Sequence, residues 1–225
     1  MSCALAAAGW RVEAPLRRGD DLAHAAAGVD LLIIATPDAA VVDVAAAVEP
    51  VADTVVAHLA GSLDLDVLGV HRRRASIHPL VSLPDPEVGA SRLQGAWFAL
   101  AGDPFARTVV EALGGQWFTV ADEDRAAYHA AACIASNHLV ALLGQAERVG
   151  AAVGVPREAF LDLVRATVEN VAALGPARAL TGPAARGDVE TLERHRAALD
   201  PSELAAYDAM VSLARRLVDE RVEAR

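Results

Sequence analysis

The chain has 225 residues, of which 54% are apolar and 4% aromatic, and its formal net charge is -10. This length allows one large domain or two small ones, with a sizeable core. Nucleic acid is excluded as a partner by the negative charge, because phosphate binding relies on clustered Lys and Arg. The sequence contains no lysine, which excludes every mechanism that needs a lysine amine.

The two cysteines, Cys3 and Cys133, show neither metal-ligand spacing nor a disulfide framework. We therefore expect ordinary thiols, no metal site and a cytoplasmic protein. No uninterrupted apolar run approaches the ~18 residues of a membrane helix. The apolar start, residues 1–10, lacks the positive n-region of a signal peptide. We expect no membrane partner.

The first half of the chain alternates strand-like and helix-like segments. Residues 11–16 predict a short strand, and residues 20–27 predict a helix that Asp20 and Asp21 begin, because Asp is a favoured N-cap. Further strands are predicted from short apolar and β-branched runs at residues 30–36, 54–58, 75–77, 97–100 and 117–120. Helical segments between strands at this spacing favour an α/β fold with a parallel sheet.

The second half is predicted to be all-helical. Acidic residues 122–124 suit a helix N-terminus, and the helical pattern continues to about Val149. A second helix begins at Pro156, a position typical of a first turn. A polar loop is predicted at residues 181–188, followed by two closing helices. The sequence thus predicts an α/β domain at residues 1–121 and an all-helical domain at residues 122–225.

The apolar string before the first predicted strand, residues 4–10, has the pattern of a helix end with Gly9 as its C′ residue. A dinucleotide-binding fold opens with a strand, a glycine-rich turn and a helix that holds the pyrophosphate. If this chain has a dinucleotide-binding fold, the first strand and the glycine loop of that fold would precede Met1. Either the start is truncated or misassigned, or the chain is a short paralogue without normal cofactor affinity. On either explanation, we expect the chain as given to bind a dinucleotide weakly.

Five strings resemble a poorly characterised group of Rossmann-like oxidoreductases with a helical C-terminal domain, in the 6-phosphogluconate-dehydrogenase-like superfamily. They are "VVAHLAGS", "ASIHPLVSL", "LQGAWFALAGD", "YHAAACIASNHLVAL" and "ALTGPAARGDVETLERH", and they span residues 55–195. Relatives include pyrroline-5-carboxylate, ketopantoate and β-hydroxyacid reductases. The resemblance implies that residues 1–121 are a partial Rossmann-like domain and residues 122–225 a substrate and dimerisation domain.

The resemblance also implies NAD(P)-dependent oxidoreductase activity on a small carboxylic-acid ketone or imine, in a homodimer. The β-hydroxyacid enzymes pair a catalytic Lys with an Asn four residues later, and the matching positions here are Cys133 and Asn137. Any acid or base role of the Lys must therefore be replaced or lost. The alternative is a non-catalytic or cofactor-deficient dimeric paralogue with a binding or structural role.

The catalytic candidates are two histidines and an asparagine. His129, Cys133 and Asn137 share one face of a helix by their spacing. We interpret this face as lining the nicotinamide cleft, with Asn137 as orienter and His129 or His78 as proton donor. His78 follows a predicted strand, where ligands of open α/β sheets bind. Alternatively, this helix face makes a contact with another helix or across a dimer interface. His78 could instead be a turn residue that hydrogen-bonds to the backbone, and we interpret Tyr128 as a packing residue.

The candidate cofactor contacts lie at predicted strand ends: Arg17, Arg18, Thr36, Pro37, Gly61 and Ser62. Arg17 and Arg18 could receive a 2′-phosphate, which favours NADP over NAD, although a solvated Arg pair is the alternative. Thr36 and Pro37 also suit a turn and helix cap, and Gly61 and Ser62 a plain structural turn. Arg186 could clamp a substrate carboxylate, with a structural ion pair as its alternative.

Overall fold

The structure, a computed structural model, describes residues 1–83 and 86–223. It divides into two compact units, Met1–Asn137 and His138–Arg225. This division lies beyond the boundary that the sequence places at residue 121, because the helix that begins at Arg125 contacts the sheet of the first unit through Tyr128 and His129.

The first unit is built on a five-stranded sheet. Its strands are β1 Leu31–Ile34, β2 Val55–His58, β3 Arg73–Pro79, β4 Trp97–Gly102 and β5 Gln116–Thr119, and they pair in sequence order. The pairs β1–β2, β2–β3 and β4–β5 are parallel, whereas β3–β4 is antiparallel. The predicted α/β fold is confirmed, with a sheet that is mostly rather than wholly parallel.

The helices of the first unit cover this sheet. They are α1 Ser2–Ala7, α2 Val41–Ala46, α3 Pro86–Leu93, α4 Phe105–Ala112 and α5 Arg125–Cys133. All four residues of β2 are buried, as expected for a strand covered on both faces. The main core joins β2 and β3 to α4, whose Val109 and Val110 are fully buried.

Two predicted elements are wrong. The predicted strand at residues 11–16 and the predicted helix at residues 20–27 are irregular segments and turns. Val12 and Leu16 of that strand are 39% and 50% exposed, and no described strand pairs with them. A strand needs a neighbour for its backbone hydrogen bonds. The predicted helix end just before this segment is confirmed, since α1 ends at Ala7 and Gly9 has a φ of +86°.

The described part of the second unit contains helices and no strand. These helices are α6 Leu139–Ala151, α7 Arg157–Leu174, α8 Pro176–Ala179, α9 Gly182–Arg186, α10 Val189–Ala198 and α11 Leu204–Glu223. The single helix predicted after residue 121 is interrupted by a π-helical turn at Ile134–His138. The loop predicted at residues 181–188 contains the short helix α9. Asp188 caps α10 by accepting from the backbone N–H of Thr191 at 3.0 Å.

Candidate functional site

The carboxyl ends of β1, β2 and β3 lie at one edge of the sheet because these strands are parallel. His58, the last residue of β2, is fully buried and shapes the turn that follows. Its Nδ1 accepts from the N–H of Ala60 at 3.2 Å, so its Nε2 carries the proton and donates to the carbonyl of Asp64 at 3.2 Å. Burial, together with the nearby charge of Arg125, lowers the pKa of His58. His58 is therefore a neutral, structural residue.

Gly61, in this turn, brings two histidines together. A Cβ at Gly61 would lie 2.7 Å from Cδ2 of His129 and 2.8 Å from Nε2 of His78. Both distances are too short for a side chain, so only glycine allows this close approach. The ring centroids of His78, from β3, and His129, from α5, are 6.1 Å apart. Two of the predicted catalytic residues thus meet at a predicted cofactor residue.

A hydrogen bond links His78 to Tyr128, with His78 Nδ1 2.6 Å from Tyr128 Oη. Burial, the charge of His129 and that of Arg125 lower the pKa of His78 to about 4. His78 is therefore neutral at pH 7. Burial raises the pKa of the Tyr128 phenol, which keeps its proton. When Nδ1 of His78 donates to Oη, the phenol O–H is available to a ligand.

Arg125 lies at the start of α5 with 1% of its surface exposed. Its Nε, Nη1 and Nη2 atoms have no hydrogen-bond partner among the described residues. Nε lies 3.4 Å from Oδ1 of Asp122, an ion pair outside hydrogen-bond geometry. Burial lowers the pKa of Arg125, and the charge of Asp122 opposes this effect. The site therefore contains a buried cation that is only partly compensated.

The remaining strand-end residues offer polar groups at the same edge. Thr36, just after β1, has a buried hydroxyl with no partner in the described chain. The Ser62 hydroxyl donates to Oδ2 of Asp38 at 2.9 Å. Pro37 precedes the 3-10 turn Asp38–Ala40, in line with the turn and cap alternative. A cofactor at this edge could satisfy the Thr36 hydroxyl, which is an orphaned donor and acceptor.

Not every predicted residue joins this group. Cys133 Sγ lies 3.9 Å from Nε2 of His129. Asn137 is exposed in the π turn, and no hydrogen bond of its side chain is found in the described structure. Arg17 and Arg18 are exposed in the irregular segment. The role of Asn137 as orienter and the roles of Arg17 and Arg18 as cofactor contacts stay predictions.

Arg186 belongs to the second unit and is 65% exposed. Its Nη2 lies 4.0 Å from Oδ2 of Asp188. This contact matches the structural ion pair that the sequence leaves open as the alternative. Clamping of a substrate carboxylate by Arg186 stays a prediction.

The sequence reasoning missed three residues of the cluster: His58, Arg125 and Tyr128. Tyr128 was interpreted as packing, and it does contact Phe118, with ring centroids 5.7 Å apart. Its hydroxyl nevertheless bonds His78. The available signal was spacing, since Arg125 and Tyr128 are three residues apart and share a helix face.

These features define a Rossmann-like α/β fold with a helical C-terminal region. Residues 99–214, more than half of the chain, match the family described as domain of unknown function DUF2520, and the chain belongs to this family. No curated protein matches the sequence.

The solved structures that are similar to the chain include the following three. Protein TM1727 from Thermotoga maritima is 28% identical, with a TM-score of 0.70 over 86% of this chain and 79% of that one. A reductive aminase from Aspergillus terreus, in complex with NADPH4, cyclohexanone and allyl amine, is 20% identical, with a TM-score of 0.62 over 87% and 76%. Plasmodium falciparum pyrroline carboxylate reductase with NADP bound is 12% identical, with a TM-score of 0.57 over 96% and 92%. These structures confirm the predicted fold, an α/β domain followed by a helical C-terminal region.

Proposed function

We propose that the chain is an NADP-dependent reductase of a C=N or C=O group in a small carboxylic acid. The observation that carries this proposal is the hydrogen bond between Tyr128 and His78 at the carboxyl ends of the strands. Ligands of open α/β sheets bind at this edge. Two similar structures are described with NADPH4 or NADP bound, which supports the choice of cofactor.

The residues at the sheet edge fit a dinucleotide. The orphaned hydroxyl of Thr36 needs a partner, which a dinucleotide could supply. Arg17 and Arg18 are the groups we assign to a 2′-phosphate, which favours NADP over NAD. When bound, NADPH supplies the hydride.

Tyr128 supplies the proton in this proposal. Its O–H bond breaks, the proton passes to the nitrogen or oxygen of the substrate double bond, and the electron pair stays on Oη. The Nδ1–H of His78 donates to the resulting phenolate. A proton from solvent then restores Tyr128. His129 packs against Gly61 and His78, and Asn137 as orienter of the substrate remains a prediction.

The test is NADPH oxidation by the purified chain with a series of cyclic imino acids and 2-oxo acids. Tyr128→Phe removes one hydroxyl and keeps the ring that packs on Phe118. We expect kcat to fall about 10²-fold or more, as for loss of a general acid, with little change in the KM for NADPH. The matched control is Tyr207→Phe, which removes the hydroxyl 2.8 Å from Nδ1 of His195 in the second unit.

Full turnover by Tyr128→Phe would contradict the assignment of the proton donor. Tight NADPH binding without oxidation by any member of the series would favour the non-catalytic alternative.

A further inference from the structure

We propose that Arg125 is a positioning residue that acts through Tyr128: its buried guanidinium, which has no hydrogen bond in the described structure, stabilises the phenolate formed when Tyr128 gives up its proton. The inference rests on the proposed function for its catalytic meaning. The effect of the Arg125 charge on the Tyr128 phenol can be tested without any turnover.

Burial of Arg125 without hydrogen bonds is unfavourable for folding alone. Its side chain is 1% exposed, and none of its three nitrogens has a hydrogen-bond partner among the described residues. A buried charge is costly unless it is both paired and hydrogen-bonded. The ion pair with Asp122 compensates for this charge in part, because Asp122 is itself 39% exposed and lies 3.4 Å away. A cation in this state can stabilise a negative charge that forms only during a reaction.

The charge of Arg125 acts on Tyr128, as it does on His58 and His78. Arg125 and Tyr128 are three apart on α5 and share a face of the helix. The charge of Arg125 lowers the pKa of the Tyr128 phenol, against the larger, opposite effect of burial. The titratable groups near this pair are His58, His78, His129, Asp38, Asp64 and Asp122.

Arg125 would stabilise the transition state more than the ground state. Before the reaction, the neutral phenol gains little from a nearby cation. As the proton leaves, negative charge develops on Oη in surroundings that water does not fully screen. A group that is already in place for this charge needs no reorganisation during the reaction. His58 and His78 are neutral, so they contribute no positive charge to the stabilisation of the phenolate.

The test uses the two tyrosines of the chain, Tyr128 and Tyr207. In a Tyr207→Phe background, tyrosinate absorbance at 295 nm reports Tyr128 alone. Arg125→Met and Arg125→Gln remove the positive charge of Arg125, whereas Arg125→Lys retains a positive charge. The control is Arg107→Met, which removes an exposed charge that lies over the ring of Trp117. Circular dichroism identifies the pH range in which every variant is folded, and the ionised fraction of Tyr128 is compared there.

We expect the two neutral variants to raise the pKa of Tyr128 by about one unit or more. Arg125→Lys should give a smaller rise, and Arg107→Met none. If the chain turns over, the neutral variants should lower kcat at pH 7 about tenfold and move the alkaline limb of the kcat profile upward. The KM for NADPH should stay unchanged.

An identical Tyr128 titration with and without the Arg125 charge would overturn the proposal. So would failure of both neutral variants to fold, because Arg125 would then be a structural anchor of α5. A raised pKa in a chain that shows no turnover would uphold the electrostatic contact and count against the proposed function alone.

Discussion

At the scale of single residues, His58 and His78 make the stability of the first unit depend on pH. Both have a lowered pKa in the folded chain, and that of His78 falls from 6.5 to about 4. Between these values the unfolded chain binds more protons, so the free energy of unfolding rises with pH. The stabilisation is complete above about pH 6.5 and is lost as the pH falls toward 4.

We expect the free energy of unfolding to decrease by up to about 3 kcal/mol for His78 across this range. Urea unfolding at pH 7, 6, 5 and 4 measures it, and His78→Gln should flatten the profile. His24→Gln is the control, because the His24 side chain is 77% exposed. Equal pH profiles for His78→Gln and His24→Gln would show that His78 is not buried as a neutral group.

The sequence could predict some site residues and not others. His78, Gly61 and Thr36 follow apolar runs, and strand ends in an α/β fold are where ligands bind. Arg125 could not be predicted as buried, because charged side chains are almost never fully buried. Its burial depends on how α5 packs on the sheet, which local sequence does not determine.

At the scale of elements, the turn after β2 depends on the absence of a side chain at Gly61. Gly61→Ala would place a Cβ within 3 Å of the rings of His78 and His129. Displacing these rings should destabilise the chain by about 1–3 kcal/mol and break the hydrogen bond to Tyr128. The matched change is Gly89→Ala in α3, where the nearest atom among the described residues, Cδ2 of Leu83, lies 3.8 Å from the added Cβ.

Gly89→Ala should stabilise the chain by about 0.5–1 kcal/mol, because alanine is the better helix former. Thermal unfolding and NADPH oxidation measured on both variants separate the two effects. A Gly61→Ala variant with unchanged melting temperature and turnover would contradict the close contact of this turn with the histidines.

The elements that could be predicted are those whose pattern is local. The five strands and the helices α6, α7, α10 and α11 follow from apolar periodicity and from capping residues such as Asp188. Residues 11–16 have strand-like composition but no neighbouring strand in the described structure. The π turn at Ile134–His138 inserts an extra residue into the helical repeat, and apolar spacing does not reveal such an insertion.

At the scale of the whole molecule, an apolar helical surface needs a partner. Large apolar side chains are exposed on α6 and α7, among them Val140 at 67% and Leu163 at 63%. By length and composition alone, Asp122–Ala151 could also cross a membrane. Its polar contacts argue against a bilayer, since Gln145 donates to the Glu203 carbonyl at 2.9 Å and Arg148 pairs with the Glu203 carboxylate at 2.7 Å. We propose a second copy of the chain as the partner.

Light scattering at micromolar concentration should therefore give twice the mass of the chain. Val140→Glu would bury an unpaired carboxylate in the dimer contact, which costs about 3–5 kcal/mol and weakens association about 10²-fold or more. Val70→Glu is the matched control, because Val70 is equally exposed at 67% but belongs to the first unit rather than to α6 or α7. A stable monomer, equal association of the two variants, or co-flotation with lipid vesicles instead of dimerisation would each refute a dimer formed through this surface.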